Sequence, residues 1–345
     1  MFGPRFLDHV TVIVLRDDHR HSGSRGRAVS WPWMLLSICL LVAPEPSMAF
    51  MLEDVRCVAP EVAADYPAWS TDGTRIAVDD GDRLGIRVIR LTDDSVIVLG
   101  TPYWNDPSWA PRRDLLAFVD KAKGGLYTTT VSTPDSERVL VRGWVEGYSF
   151  PWSPDGKLLL FRRAGSLFVV SSAGGTPRML LAGTEPGAAV TDARFSQDGS
   201  QIYAERGEDF VRLAVRTNKL SSFGPVSPRY FAISPAGEPA AYVISKHGEL
   251  VSVRSDGAME TTPLERPGIG IDVNPGTRDV VLGISQRGLF VLPRAQRQLA
   301  PIRGDPTDRF PRWAPAGDDR LAFIRGEADH TMVCVARVAN DGDER

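Results

Sequence analysis

Ten side chains carry the chemistry this chain offers at recurring places: Asp65, Tyr66, Trp104, Asp106, Tyr148, Asp192, Arg229, Tyr230, Arg309 and Phe310. All but Trp104 stand three or four residues ahead of a bulky apolar residue that returns along the chain. Rings supply contact area at low entropic cost, and carboxylates and guanidiniums set orientation, so this mixture suits a binding face. Two other uses compete with that one. Asp65, Asp106 and Asp192 could act as acid and base in breaking a polysaccharide or peptide. The tyrosines and phenylalanine could simply cap a hydrophobic core.

Other kinds of chemistry find little support. Beyond residue 49 the only histidines are His247 and His330, too few for a histidine-held metal. A Gly-x-Ser-x-Gly nucleophile elbow is absent. The Asp79-Asp80-Gly81-Asp82 cluster lacks the full loop of a dedicated calcium site and falls where a hairpin turn is expected. Arg162-Arg163 falls in the equivalent loop of a later repeat. The expectation is a protein with no metal, no cofactor and no recognisable catalytic constellation.

The elements that must position these groups come from a cassette that returns seven times. Its anchors are Trp69, Trp109, Trp152, Phe195, Ile233, Val273 and Trp313, separated by 40, 43, 43, 38, 40 and 40 residues. A small residue follows each anchor, five copies carry proline two positions after it, and five carry glycine four positions after it. Proline presets φ and glycine accepts positive φ, so the cassette reads as strand, tight turn, strand. Alternating apolar pairs such as Ile76 and Val78, or Leu159 and Phe161, continue beyond the turn with the period of a strand. Third strands are expected at Gly85 to Ile89, Leu126 to Thr129, Leu167 to Val170, Phe210 to Val215, Leu250 to Val253 and Leu289 to Leu292. Fourth strands are expected at Val96 to Leu99, Met179 to Leu181, Leu220 to Phe223 and Leu299 to Ile302.

A repeat near 40 residues with four strands each predicts an all-β, seven-bladed β-propeller of four-stranded blades. A sandwich or irregular solenoid also strings short strands at regular spacing, but neither needs a whole turn cassette to return. A six-bladed variant with a degenerate unit stays open. The last copy stops after its third strand, near Val338. The missing outer strand is expected from Met51 to Val58, which would close the ring by pairing the two ends. That closure brings Cys57 beside Cys334 and predicts a disulfide; two unrelated buried thiols are the alternative.

Residues 1–49 lie outside the repeat and read as a secretory signal peptide cleaved after Ala49. Arg16, Arg20, Arg25 and Arg27 precede an apolar stretch from Trp31 to Ala43, and Ser47-Met48-Ala49 supplies the small residues of a cleavage site. An uncleaved anchor, a lipoprotein site at Cys39 and a start downstream of Met1 are the alternatives. The remainder, 50–345, is then one propeller domain, periplasmic or secreted. The full chain has 345 residues, 24% of them charged, with a formal net charge of −3, so no basic excess points to nucleic acid. A monomer that does not insert in a membrane is expected.

The run Phe150-Pro151-Trp152-Ser153-Pro154-Asp155-Gly156-Lys157-Leu158-Leu159-Leu160-Phe161 resembles the WD40-like repeat of the TolB-like propeller family. The likeness extends with decay over all seven copies; the second has Arg112-Arg113 where aspartate and glycine would stand, and the sixth reads Asn274-Pro275-Gly276. It implies a propeller fold and a role as a binding or scaffold module for another envelope or extracellular protein or peptide. Family members named TolB carry an additional amino-terminal α/β domain before the propeller, whereas here nineteen residues lie between Ala49 and Trp69.

Overall fold

The computed structural model describes residues 50–59, 67–79, 85–99, 104–146, 151–296, 298–315, 317–327 and 330–340. The expected signal peptide at 1–49, and with it Asp65, Tyr66 and Tyr148, lies outside the described residues. Among the described residues the fold is all-β, with strands and turns and no helix.

Consecutive strands pair as antiparallel meanders. The first runs Ala68–Trp69, Arg75–Asp79, Ile86–Arg90, Val96–Leu99, and the second Trp104–Trp109, Leu115–Asp120, Gly125–Thr130, Thr133–Arg142. A third group has three strands, Leu158–Arg163, Ser166–Ser171 and Arg178–Leu181, with Trp152 contributing only an isolated bridge to Leu159. Glu146 makes a second isolated bridge to the same strand, at Arg162, and residues 147–150 between the two bridges lie outside the described residues. Four-stranded meanders follow over Val190–Pro225 and Pro228–Pro263.

The last two groups merge into one eight-stranded sheet, where separate sheets were expected. The ten-residue strand Phe50–Ala59 causes this, because a strand has two hydrogen-bonding edges. One edge pairs antiparallel with His330–Asn340, while Phe50 and Met51 also pair parallel with Ile302 and Arg303. The amino-terminal strand thus supplies the outer strand that the final cassette lacks, as the sequence predicts. Cys57 and Cys334 are register partners on that ladder and form a disulfide across 277 residues of sequence.

The turns follow from serine and aspartate chemistry. In the first cassette the Ser70 hydroxyl donates to Asp72 Oδ1 at 2.5 Å, and the Thr74 N–H donates to the same oxygen at 3.0 Å. The Arg75 N–H donates to Ser70 Oγ at 2.9 Å. The set returns at Ser153 with Asp155 and at Ser196 with Asp198. These bonds hold the Asp155 and Asp198 carboxyls below the usual range. Gly73, Gly156 and Gly199 each close the turn at φ near 70°, where a Cβ is strained. In the weak second copy Arg112 takes φ of 57° itself, so the turn forms at a conformational cost.

Seven hydrophobic clusters fill the spaces between successive meanders. One joins Ile86, Val88 and Leu99 to Trp109 and Leu116; another joins Ile76, Val78 and Ile89 of the first meander to Ala322, Ile324 and Val333 of the last. Each anchor buried this way contributes about 1.5 to 3 kcal/mol. Anchor tryptophans add hydrogen bonds: Trp109 Nε1–H donates to the Ala68 carbonyl at 3.1 Å and Trp152 Nε1–H to that of Ser108 at 3.1 Å. The acceptor is in each case the residue just before the preceding anchor.

Candidate functional site

The first strands of the meanders converge on a cavity of about 850 Å³. Its wall takes at least one residue from each of the seven cassettes: Trp69, Trp109, Trp152, Phe195, Phe231, Ile271 and Trp313. Arg162 and Glu205 reach it from second strands. The charged members are Arg162, Asp192, Arg194, Glu205, Arg229 and Arg312.

These charges are held by specific partners. Arg162 Nη1 donates to the Val190 carbonyl at 2.9 Å, and Arg312 Nη1 donates to the Ile271 carbonyl at 2.8 Å and to that of Pro311 at 3.1 Å. Arg194 pairs with Asp192 at 3.5 Å and lies over the Phe231 ring, 5.1 Å from its centroid. Arg229 is exposed and stacks on Tyr230 at 5.5 Å, and Tyr230 meets Phe310 edge-on at 6.4 Å. Asp272 accepts the Trp313 backbone N–H at 2.8 Å, and loss of solvation raises its carboxyl above the usual range against the pull of Arg312.

Glu205 is the unusual group. It stands in register opposite Asp192 on the neighbouring strand and is only 4% exposed. The Thr191 hydroxyl donates to its Oε2 at 2.7 Å, whereas its buried Oε1 has no hydrogen-bond partner among the described residues. Burial first, and the adjacent Asp192 charge second, push its carboxyl up to about 7. A carboxyl in that state can exchange a proton near neutrality, donating a hydrogen bond in one form and accepting in the other.

Of the residues singled out in the sequence, Asp192, Arg229, Tyr230 and Phe310 line this cavity. Arg309 does not: it donates to the carbonyls of Thr307 and Gly326 and lies 6.0 Å from the Phe310 ring centroid, tying its own loop. Trp104 and Asp106 belong to the strand Trp104–Trp109, with side chains outside the described residues, as are Asp65, Tyr66 and Tyr148 altogether. Trp144, just upstream of the third cassette, is 65% exposed. No family model and no curated protein matches the sequence.

Sequence reasoning missed Arg194, Glu205 and Arg312, and it placed Arg162-Arg163 in a loop, whereas both end the strand Leu158–Arg163. Arg194 and Arg312 stand one residue before their anchors, on the same strand face as residues three before, so period-two alternation was the available signal. Five first strands also slip register, between Asn105 and Ser108, Val190 and Asp192, Pro228 and Tyr230, Gly268 and Ile271, and Arg309 and Arg312. A bulge re-aims the side chains around it, which lets Arg229 and Tyr230, neighbours in sequence, both reach the cavity.

A second depression, of about 590 Å³, joins the first and last turns and is lined by Asp72, Asp318, Asp319, Arg320 and Arg337. Its charges serve one another: Arg320 pairs with Asp318 at 2.5 Å and donates to the Gly73 carbonyl at 2.7 Å, and Arg337 pairs with Asp319 at 3.4 Å. Among the described residues no group of three or more histidine, cysteine, aspartate and glutamate side chains could hold a metal ion.

Proposed function

We propose that the meanders are the blades of a seven-bladed β-propeller, and that the chain, exported through a signal peptide at 1–49, is a binding or scaffold module. In this reading a segment of another envelope or extracellular protein seats in the mouth of the central cavity. The observation that carries it is the makeup of the wall: strands from every cassette bring arginines, carboxylates and aromatic edges to one concave surface. Cavities of this size take a short peptide or drug-sized segment, with apolar walls for contact and a few polar groups for orientation.

The supporting observations are independent of one another. The resemblance to TolB-like repeats supports the propeller, and the contact between first and last cassettes supports its closure. The Cys57–Cys334 disulfide is consistent with an oxidising, exported compartment. Affinity capture from envelope extract tests the role. The protein should retain a saturable partner that the Arg229→Ala/Tyr230→Ala variant loses while staying folded by circular dichroism. Equal capture by the variant would remove this surface from consideration.

One observation favours a second reading, hydrolysis: Asp192 and Glu205 stand opposite each other with Glu205 raised near neutrality, as acid and base pairs do. Product formed from glycans or peptides, and lost in Asp192→Asn and Glu205→Gln, would support the enzyme over the scaffold.

A further inference from the structure

We propose that the segment seated in the cavity is an acidic peptide, whose carboxylate lies between the guanidiniums of Arg162 and Arg229 and accepts a hydrogen bond from the protonated carboxyl of Glu205. This rests on the binding reading of the same cavity and names its ligand chemistry. Arg162 touches the strand Val190–Phe195 through the Val190 carbonyl, while Arg194 reaches from that strand to Phe231 on the next. Arg162 and Arg229 line the same cavity as Asp192 and Glu205, from the groups of strands that precede and follow theirs.

Two of these arginines have capacity to spare. Arg194 is paired with Asp192, but Arg162 and Arg229 make no ion pair among the described residues. A guanidinium has five donors, and Arg162 uses one on a backbone carbonyl. Carboxylates match that fork geometry, often in bidentate fashion.

Glu205 supplies the second, independent observation. Its buried Oε1 has no hydrogen-bond partner among the described residues, and Glu205 lines the cavity, so a ligand group entering there can supply the missing bond. A ligand carboxylate offers an acceptor, so Glu205 must bring the proton, taken from solvent. The charged groups around Glu205 are Asp192 across the strand, Arg194 beside it, Lys246 from the next meander, and Arg162, Arg229 and Arg312 in the same cavity. Asp192 favours the protonated form; Arg194 and Lys246 oppose it. Burial outweighs both and leaves the proton readily bound near neutrality.

A peptide fits better than an acidic sugar. Trp109, Trp152 and Trp313 are 7%, 8% and 9% exposed, so their faces are spent on packing and give no open platform for a sugar ring. Arginines supply four of the six charged groups in the cavity lining.

The test is fluorescence anisotropy with the full chain and a fluorescein-labelled glutamate–glycine hexapeptide at low salt. Binding at pH 6 should exceed that of the glutamine analogue at least tenfold and should weaken about tenfold by pH 8.5, as Glu205 loses its proton. Arg162→Gln and Arg229→Gln should each weaken it about tenfold. Glu205→Gln should bring the ratio between pH 6 and pH 8.5 close to one, an effect that mere structural damage does not produce. Amidating the probe's carboxyl terminus should leave binding unchanged, and loss on amidation would place the contact at the chain terminus and overturn the proposal. Equal binding of the glutamine analogue, a flat pH profile in the unmodified protein, or binding of oligogalacturonate in place of the peptide would overturn the proposal. If the hexapeptide fails while partner capture still depends on Arg229 and Tyr230, this inference falls and the binding reading stands.

Discussion

The indole N–H of Trp69 donates to the carbonyl of Arg312 at 3.0 Å, across 243 residues of sequence. It repeats what Trp109 does to Ala68 and Trp152 to Ser108, so the final cassette stands to the first as the first stands to the second and the second to the third. Replacing Trp69 with Phe keeps most of the ring and removes the donor. The expected cost is about 1 kcal/mol, because the Arg312 carbonyl loses a partner. Urea unfolding followed by circular dichroism measures it; an unchanged midpoint would show that the bond adds nothing to stability.

The covalent link between Phe50–Ala59 and His330–Asn340 constrains nearly the whole described chain. In the chain-entropy model a loop of this length contributes about 5 kcal/mol, less any strain. Cys57→Ser/Cys334→Ser should therefore unfold at markedly lower urea than the oxidised protein and at nearly the same point as the reduced one. Intact-mass analysis after alkylation is the direct check, and two free thiols in the oxidised protein contradict the bridge.

Glu205 should make stability depend on pH in an identifiable window. Its carboxyl titrates near 7 in the folded protein against an ordinary value of 4.5, so between those values the folded state holds a proton that the unfolded chain has released. Stability then falls as pH rises from about 4.5 to about 7 and levels off above. The shift corresponds to roughly 3 kcal/mol across the window. Glu205→Gln should remove that slope, measured as unfolding free energy from pH 5 to pH 8. A slope that survives the substitution assigns the titration to another group.

Asp308 and Arg325 form a paired, largely buried contact, with Arg325 Nε and Nη2 donating at 2.7 and 2.8 Å to an aspartate that is 1% exposed. Removing one partner strands the other charge in a poorly solvated place. Asp308→Asn should cost about 3 kcal/mol, while replacing both with apolar residues of similar volume should cost much less. A double-mutant cycle in urea separates the two, and additive losses would mean the pair is not coupled.

The sheets were legible wherever a strand is buried on at least one face. Val96–Leu99 begins and ends where alternation in the sequence places it, and Ser166–Ser171 extends the expected strand by one residue at each end. Outer strands with exposed faces were not legible. Thr133–Arg142 opens with polar residues, and Met259–Pro263 is exposed at nearly every position, so neither carries a hydrophobic period for a reader to find. The cassette at Trp152 is the clearest in the sequence, and its first strand pairs with Leu158–Arg163 through bridges at Glu146 and Trp152; residues 147–150 between them lie outside the described residues.

The amino-acid sequence alone determined the repeating unit, its proline and glycine turns and the pairing of the two chain ends. Those follow from local φ preferences and from hydrophobic period, which neighbours in the chain express by themselves. Only the tertiary structure decided which charges meet. Glu205 faces Asp192, and Arg162 reaches Val190, through strand register and through slips in that register that turn side chains toward the cavity. Register is a property of two strands at once, and the electrostatics of a carboxyl depend on how much water and which charges the packed neighbours leave beside it.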